Sequence, residues 1–306
     1  MSTFSATLLP ILFIILTGFI LRKSNFIPED AWSGLEKLTY YILFPALLVG
    51  SLGNQSIDGI PWPSMLLVII LTLAVAAALL TLWHLTGSTT GNSTFTSIFQ
   101  GGIRFNTYIM LAIAQAYFGI EGLTYGAVAA GFMIVLINLL CISALAKWGK
   151  TPTNEKAALT REIFGNPLII SCVIGWILSL SGIGLPGITE NIIEILGSAA
   201  LPLGLLAVGA ALKPEAIREH LKPVVIASLF QFLLKPLTVI FLNSLFGITG
   251  IAAGVLIIAF MTPTAPSAYI LARQLGGDTE TMASIITFQT IIAFLVMPLI
   301  AFLTLT

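Results

Sequence analysis

The chain has 306 residues, 57% of them hydrophobic and 8% charged, with a mean hydropathy of +1.03. A water-soluble domain needs about 25% charged residues on its surface, so this composition excludes one and places the chain in lipid. Thirteen basic and thirteen acidic residues cancel, which leaves no net field to draw nucleic acid or an acidic partner.

A membrane-crossing helix needs about 20 apolar residues. Ten runs of that kind are predicted, near 4–22, 34–53, 63–85, 94–118, 122–147, 166–182, 188–212, 221–246, 250–273 and 279–304. The first, from Phe4 to Leu21, has no basic residue before it and no small-residue cleavage site after it, so it reads as span 1 and not as a secretory leader. Cys141 and Cys172 lie inside apolar runs, where each reads as a small buried hydrophobe and not as a disulfide, catalytic or metal-binding cysteine. Between the spans, Arg22, Lys23, Lys147, Lys150, Lys156, Arg161, Lys213, Arg218, Lys222 and Arg273 all fall on one alternating set of loops. By the positive-inside rule that set is cytoplasmic, which places both termini outside and the polar linker 148–164 inside.

The linker separates two halves, 1–147 and 165–306, that echo each other at a spacing of about 158 residues. Pro28, Glu36 and Pro45, leading into Leu47 and Leu48, resemble Pro186, Glu194 and Pro202, leading into Leu205 and Leu206. Asn106-Thr107-Tyr108 likewise resembles Ser267-Ala268-Tyr269, and Ala114-Gln115 before Gly119 resembles Arg273-Gln274 before Gly276. Five spans per half would force the second half to enter the membrane from the opposite side. The expected fold is therefore an all-α membrane protein of two inverted five-helix repeats, a design that places a substrate where corresponding helices break near the midplane.

Two such breaks are predicted. Span 4 carries Gln100-Gly101-Gly102-Ile103-Arg104-Phe105-Asn106-Thr107 at mid-depth, and span 9 carries Thr262-Pro263-Thr264-Ala265-Pro266-Ser267 at the matching place. Proline removes an amide donor and clashes with the preceding turn, while glycine eases non-helical angles. A plain proline kink would explain either break alone; two at matching positions point to irregular backbone lining a cavity, with half-helix N-termini that favour an anion. Arg104 and Lys235, just before Pro236, lie deep within spans, and a cation there needs a polar cavity, a counter-ion or a substrate. Glu36, Glu190 and Glu194 sit toward span ends. Arg104 could bond carbonyls at the break, and the stem of Lys235 could carry its charge to an interface. Asn138, Gln231 and Gln289 read first as helix-packing polar groups.

At these residues the sequence resembles the auxin efflux carrier family, particularly its bacterial members, over essentially the whole chain. The resemblance rests on Leu38 to Leu48 (LTYYILFPALL), on Phe105-Asn106-Thr107-Tyr108 and on Pro263 to Tyr269 (PTAPSAY). It implies spans 1, 2, 6 and 7 as a scaffold, the rest as a transport bundle, and a substrate site at the crossed breaks of spans 4 and 9. Arg104, Asn106, Thr107, Tyr108, Pro263, Thr264, Pro266, Ser267 and Lys235 are the candidate binding residues. The expected activity is elevator-type transport of small organic anions, mono- or dicarboxylates, across a bacterial inner membrane without a cofactor. The expected partners are the anion and the lipid bilayer, with a homodimer through the scaffold spans left open. Plant auxin carriers have proline where this chain has Phe105, and it lacks their long cytosolic loop, which speaks against auxin itself. Sodium-coupled bile acid transporters are similar in fold, but no acidic residue stands near the span 9 break to help hold sodium. An intramembrane enzyme would need a nucleophile with its base, paired acids or a metal cluster, and His84 and His220 both lie near span ends. A channel or receptor would not call for paired breaks.

Overall fold

A computed structural model describes residues 3–53, 59–151 and 154–304; the side chains of Thr3, Ala216, Arg218 and Glu219, and residues 152–153 of the linker, lie outside the described set. Every regular element among the described residues is helical. The chain runs through α1 (Thr3–Lys23), α2 (Glu29–Leu38), a π-helical turn (Thr39–Leu43) and α3 (Phe44–Gly53), then α4 (Trp62–Gly87), α5 (Asn92–Ile103) and α6 (Thr107–Trp148). The linker helix α7 (Glu155–Phe164) leads into α8 (Pro167–Leu180), α9 (Ile188–Ser198) and α10 (Ala200–Ala210). A 3-10 turn (Pro214–His220) precedes α11 (Leu221–Leu229), a second π turn (Phe230–Leu234), α12 (Lys235–Leu245), α13 (Gly250–Met261), α14 (Ser267–Leu275) and α15 (Thr279–Thr304).

Among the described residues, seven helical stretches are long and apolar enough to cross a bilayer, and α7 with α8, bent by 48°, makes an eighth if counted as one. One stretch, Asn92–Trp148, has 57 residues. Straight, it would reach about 85 Å, well over twice the ~30 Å hydrocarbon core, so it has to fold back. It does so at the break after Ile103 and again at Gly119, whose φ of 69° and ψ of −152° suit glycine alone.

Both π turns sit just ahead of a proline, Pro45 and Pro236. Neither proline can donate to the preceding turn, and the helix widens there: the Phe44 N–H reaches back to the Thr39 carbonyl and the Lys235 N–H to the Phe230 carbonyl.

Lipid offers apolar helices no gain for meeting each other, so close packing through small residues takes over. Gly18 of α1 lies under the Leu206 backbone of α10, and Gly209 of α10 under the Ile15 carbonyl of α1. Gly175 of α8 packs on Leu52 of α3, where a Cβ would stand 2.7 Å from the leucine Cβ, and a Cβ on Gly197 of α9 would stand 3.0 Å from the Leu47 Cα. The outward side chains, among them Phe13, Ile20, Ile177, Leu180 and Ile195, are exposed and apolar, as a lipid-facing surface requires.

The break expected in the segment 100–107 of span 4 falls in its second half: α5 stays regular through Gly101 and Gly102 and ends at Ile103. These glycines serve packing. A Cβ on Gly101 would stand 2.6 Å from Ile285, and one on Gly102 would stand 3.0 Å from Leu80 and from Phe230.

Candidate functional site

After Ile103 the chain leaves the helix for three residues, with Arg104 and Asn106 extended, and α6 restarts at Thr107; after Met261 the chain is irregular from Thr262 to Pro266, and α14 starts at Ser267. Four hydrogen bonds stitch the two breaks together. The Thr264 hydroxyl donates to the Gly101 carbonyl at 2.9 Å, and the Asn106 N–H donates to the Thr262 hydroxyl at 3.4 Å. Gln289 of α15 bridges the same pair, its Nε2 donating to the Gly101 carbonyl at 2.9 Å while its Oε1 accepts from the Thr264 N–H at 3.0 Å. Backbone groups released by a break have no water in the membrane core to turn to, and here each half supplies the other.

The second π turn and the residue after it cap both helix ends. Lys235 Nζ donates to the carbonyls of Ile103 and Arg104 at 3.1 and 3.2 Å, at the C-terminus of α5, where the helix dipole favours a cation. The Gln231 amide nitrogen donates to the Thr262 carbonyl, just past the C-terminus of α13. The Lys235 side chain is fully buried, with its ammonium 5.8 Å from the centre of the Phe260 ring. At the N-terminus of α6, the Asn106 Oδ1 accepts from the Ile109 N–H at 3.1 Å, an N-cap.

Around this scaffolding several polar atoms are buried without a hydrogen-bond partner among the described residues: Arg104 Nη1, Asn106 Nδ2, Gln231 Oε1 and both amide atoms of Gln100. Arg104 is 9% exposed and its guanidinium faces the Cys141 thiol. Neither Arg104 nor Lys235 pairs with a carboxylate among the described residues.

The structure thus brings Arg104, Asn106, Thr264 and Lys235 together, with Pro263 buried beside them. Thr264 and Lys235 are largely occupied by the crossing itself. Thr107 and Tyr108 form the first turn of α6, and the Tyr108 ring packs edge-on to Phe44 at 4.6 Å and against Gly204 of α10. Pro266 is half-buried and Ser267 is exposed. Sequence reasoning had passed over Gln100 as a site residue and read Gln231 as packing. The signal was available in the spacing, because Gln100 lies four residues before Arg104 and Gln231 four before Lys235. A cavity of about 350 Å³ lies elsewhere, lined by Ile142, Arg161, Glu162, Leu271 and Gln274. It holds none of the crossing residues.

A second polar knot closes the end of the bundle where α5 begins. Asp278 accepts from the Thr94 hydroxyl at 2.7 Å, the Thr281 hydroxyl at 2.8 Å and the Thr281 N–H at 3.1 Å, and its carbonyl accepts from Ser97 at 2.7 Å. Burial works against its charge, but these bonds and nearby His220 outweigh it and hold the carboxyl below its usual value.

Bilayer-length apolar helices, two of them joined at breaks with buried polar groups, are the build of a multi-pass membrane transport protein. The family model described as membrane transport protein matches residues 3–150 and 151–301. The chain belongs to this family, which is the auxin-efflux-carrier-like one. An uncharacterized transporter of Methanothermobacter thermautotrophicus is 23% identical over 294 residues, covering 96% of each chain. Another, from Methanocaldococcus jannaschii, is 23% identical over 299 residues, covering 94% of this chain and 95% of its own. The protein is a membrane transporter.

Proposed function

We propose that the chain is a secondary active carrier of small organic anions, mono- or dicarboxylates, working by alternating access of elevator type. The observation that carries the proposal is the buried Arg104, with an unpartnered Nη1 and no carboxylate in contact among the described residues, in the break between α5 and α6 that is hydrogen-bonded to the break after α13. A desolvated guanidinium needs an anion, and its fork matches a carboxylate. Asn106 Nδ2 adds a second open donor. Thr107, Tyr108, Pro263, Thr264, Pro266 and Ser267 would shape the walls, and Lys235 would act first as the cap that holds α5 open.

In this reading ten spans form two inverted repeats, 1–147 and 165–306, joined by a cytoplasmic linker, with both termini outside a bacterial inner membrane. The element bounds support it. Asn92–Ile103 recurs as Gly250–Met261, and Trp62–Gly87 as Leu221–Leu245, each about 158 residues later. Helix crossings support it too. Gly18 meets the backbone of Leu206, and the same step along the chain converts that pair, within a residue, into Gly175 and Leu48, which also meet. The scaffold would be α1, α2–α3, α8 and α9–α10, and the remaining helices would move against it with the site.

Counterflow in proteoliposomes tests the proposal. Wild-type protein should exchange a labelled carboxylate, and Arg104→Gln should abolish that exchange while the protein stays folded. A cross-link between positions 4 and 117, whose rings pack 5.3 Å apart between α1 and α6, should stop exchange yet leave binding intact. Unchanged exchange in a folded Arg104→Gln variant would remove the anion site.

A further inference from the structure

We infer that the gap between α8 on one side and α4 and α6 on the other is a binding site for a bilayer lipid, taking the uncharged end of one acyl chain.

A cavity of about 200 Å³ lies there, walled by Leu66 of α4, Phe132 and Val135 of α6, and Ile169, Cys172 and Trp176 of α8, with no polar atom facing it among the described residues. The local packing explains the gap. Gly131 lets α6 approach α8 at one point, where a Cβ would stand 3.2 Å from the Cys172 sulfur and from the Trp176 ring. Beside it the Phe132 and Trp176 rings lie 5.1 Å apart, tilted by 38°. Close approach at one point and large rings at the next leave space that no side chain fills.

Three observations name the occupant. The first is polarity. Water entering the gap would find nothing to bond, and an apolar cavity of about 150 Å³ is known to stay dry while taking up benzene-sized molecules. An unfilled gap also forfeits dispersion contacts that an apolar guest restores. The second is depth. Gly131 and Leu136, both on the wall, are each twelve residues from an end of the long arm of α6, which runs from the turn at Gly119 to Trp148. That places this wall about 18 Å from both ends of the arm, at the middle of the hydrocarbon core, where chain ends lie and headgroups do not. The third is access. Val173 also lines the gap and is 44% exposed, in one outward row with Ile170, Ile174 and Ile177. The cavity therefore reaches the surface that meets lipid, and a chain enters from the bilayer without crossing water. In the elevator reading above, α8 belongs to the scaffold and α4 and α6 to the moving bundle, so the chain lies in the contact that slides. Its effect on transport rests on that reading; its binding does not.

Lipids brominated on the acyl chain, reconstituted with the whole protein in nanodiscs, test this, because bromine quenches a tryptophan it touches. Trp176 is one of five tryptophans, and its emission is read as the difference between each protein and the same protein carrying Trp176→Phe. Bromines at the methyl end of the chain should quench it at least twofold more than bromines beside the ester. Val135→Phe and Cys172→Met add bulk on opposite walls, and each should cut the chain-end quenching by half or more. Cys172→Met is the milder change and keeps the test open if Val135→Phe fails to fold. Contact at the outer surface alone gives equal quenching in wild type and in the filled variants, and that result overturns the site. Stronger quenching by bromines beside the ester overturns it too. Counterflow reads the second part: a side chain fixed in the gap cannot withdraw as a lipid chain can, so exchange should slow at least threefold in the filled variants. Normal exchange with the quenching lost overturns the effect on sliding and leaves the chain site standing, whereas wild-type protein without exchange overturns the carrier reading alone.

Discussion

The α1–α10 contact and the meeting of the two breaks that follow α5 and α13 are both buried, yet they are held largely by opposite means. Where α1 meets α10, glycines let two backbones touch, and a hydrogen bond from Arg22 Nη1 to the Ala210 carbonyl at 2.9 Å joins the two helices only at their ends. At the crossing, buried side chains of Gln289, Gln231, Lys235 and Thr264 hold carbonyls and amides that two broken helices release. The first kind of contact has no polar atom to offer a solute. The second kind cannot be made without polar groups, and the few left over, on Arg104, Asn106, Gln231 and Gln100, are what a solute can use. On the proposed function, stability and binding would rest on neighbouring residues at the crossing, whereas the glycine contact would serve stability alone.

The largest effect should come from breaking the backbone contact. Gly209→Leu places a side chain on the Ile15 carbonyl, and overpacking against backbone should cost about 3 kcal/mol or more. Gly34→Ala, which meets nothing within 4 Å inside α2, is the control and should be neutral or stabilising by up to about 1 kcal/mol, since alanine favours the helix. Thermal unfolding in detergent compares them, and equal stability of the two variants would mean that the two helices separate at little cost.

Lys235→Met keeps the bulk but leaves the carbonyls of Ile103 and Arg104 without their donor. The expected loss is about 1.5–3 kcal/mol, the scale of a charged hydrogen bond, together with weaker substrate binding as the break loses its shape. A variant as stable as wild type that still binds normally would show that the cap is dispensable.

Arg104→Gln separates the two roles. Its Nη1 holds no protein group, so unfolding should change by less than about 1 kcal/mol, while anion affinity should fall by about 1.5–3 kcal/mol. Arg104→Lys keeps the charge without the fork and should recover only part of the affinity. A large loss of stability with unchanged affinity would turn Arg104 into a structural residue like Lys235.

The smallest effect is expected at the second polar knot, and it depends on pH. The Asp278 carboxyl titrates below its ordinary value of 3.8 in the folded protein. Its contribution is therefore fully present at neutral pH and is lost as pH falls below about 3.8, when the folded carboxyl takes up a proton. Asp278→Asn should lower the melting temperature slightly at pH 6, and the gap to wild type should close in that acid range. A gap that persists at the lowest pH reached would mean that the side chain's shape, and not its charge, matters there.

Much of the site was legible in the chain. Arg104, Asn106, Thr264 and Lys235 stand out because charge, amide and proline are rare in apolar runs, and the proline-rich segment from Thr262 to Ser267 cannot stay helical whatever surrounds it. The exact position of the break in span 4 was not legible, for a physical reason: glycine permits a break but does not require one, and close neighbours at Ile285 and Phe230 make Gly101 and Gly102 packing residues. The linker α7 and its bend into α8 were likewise hidden in a polar stretch without strong periodicity.

Sequence alone determined that this chain lies in a membrane, how many residues its apolar runs contain, and where Pro45, Pro236, Pro263 and Pro266 forbid an ordinary helix, because hydropathy and the missing proline amide act locally. Only the tertiary structure decided which polar atoms are occupied and which are open. That Lys235 caps α5, that Gln289 ties Gly101 to Thr264, and that Gln231 turns its oxygen inward all depend on partners 25 to 188 residues away. A hydrogen bond is directional and short, so its partner is chosen by how the helices cross, which no local property of the chain records.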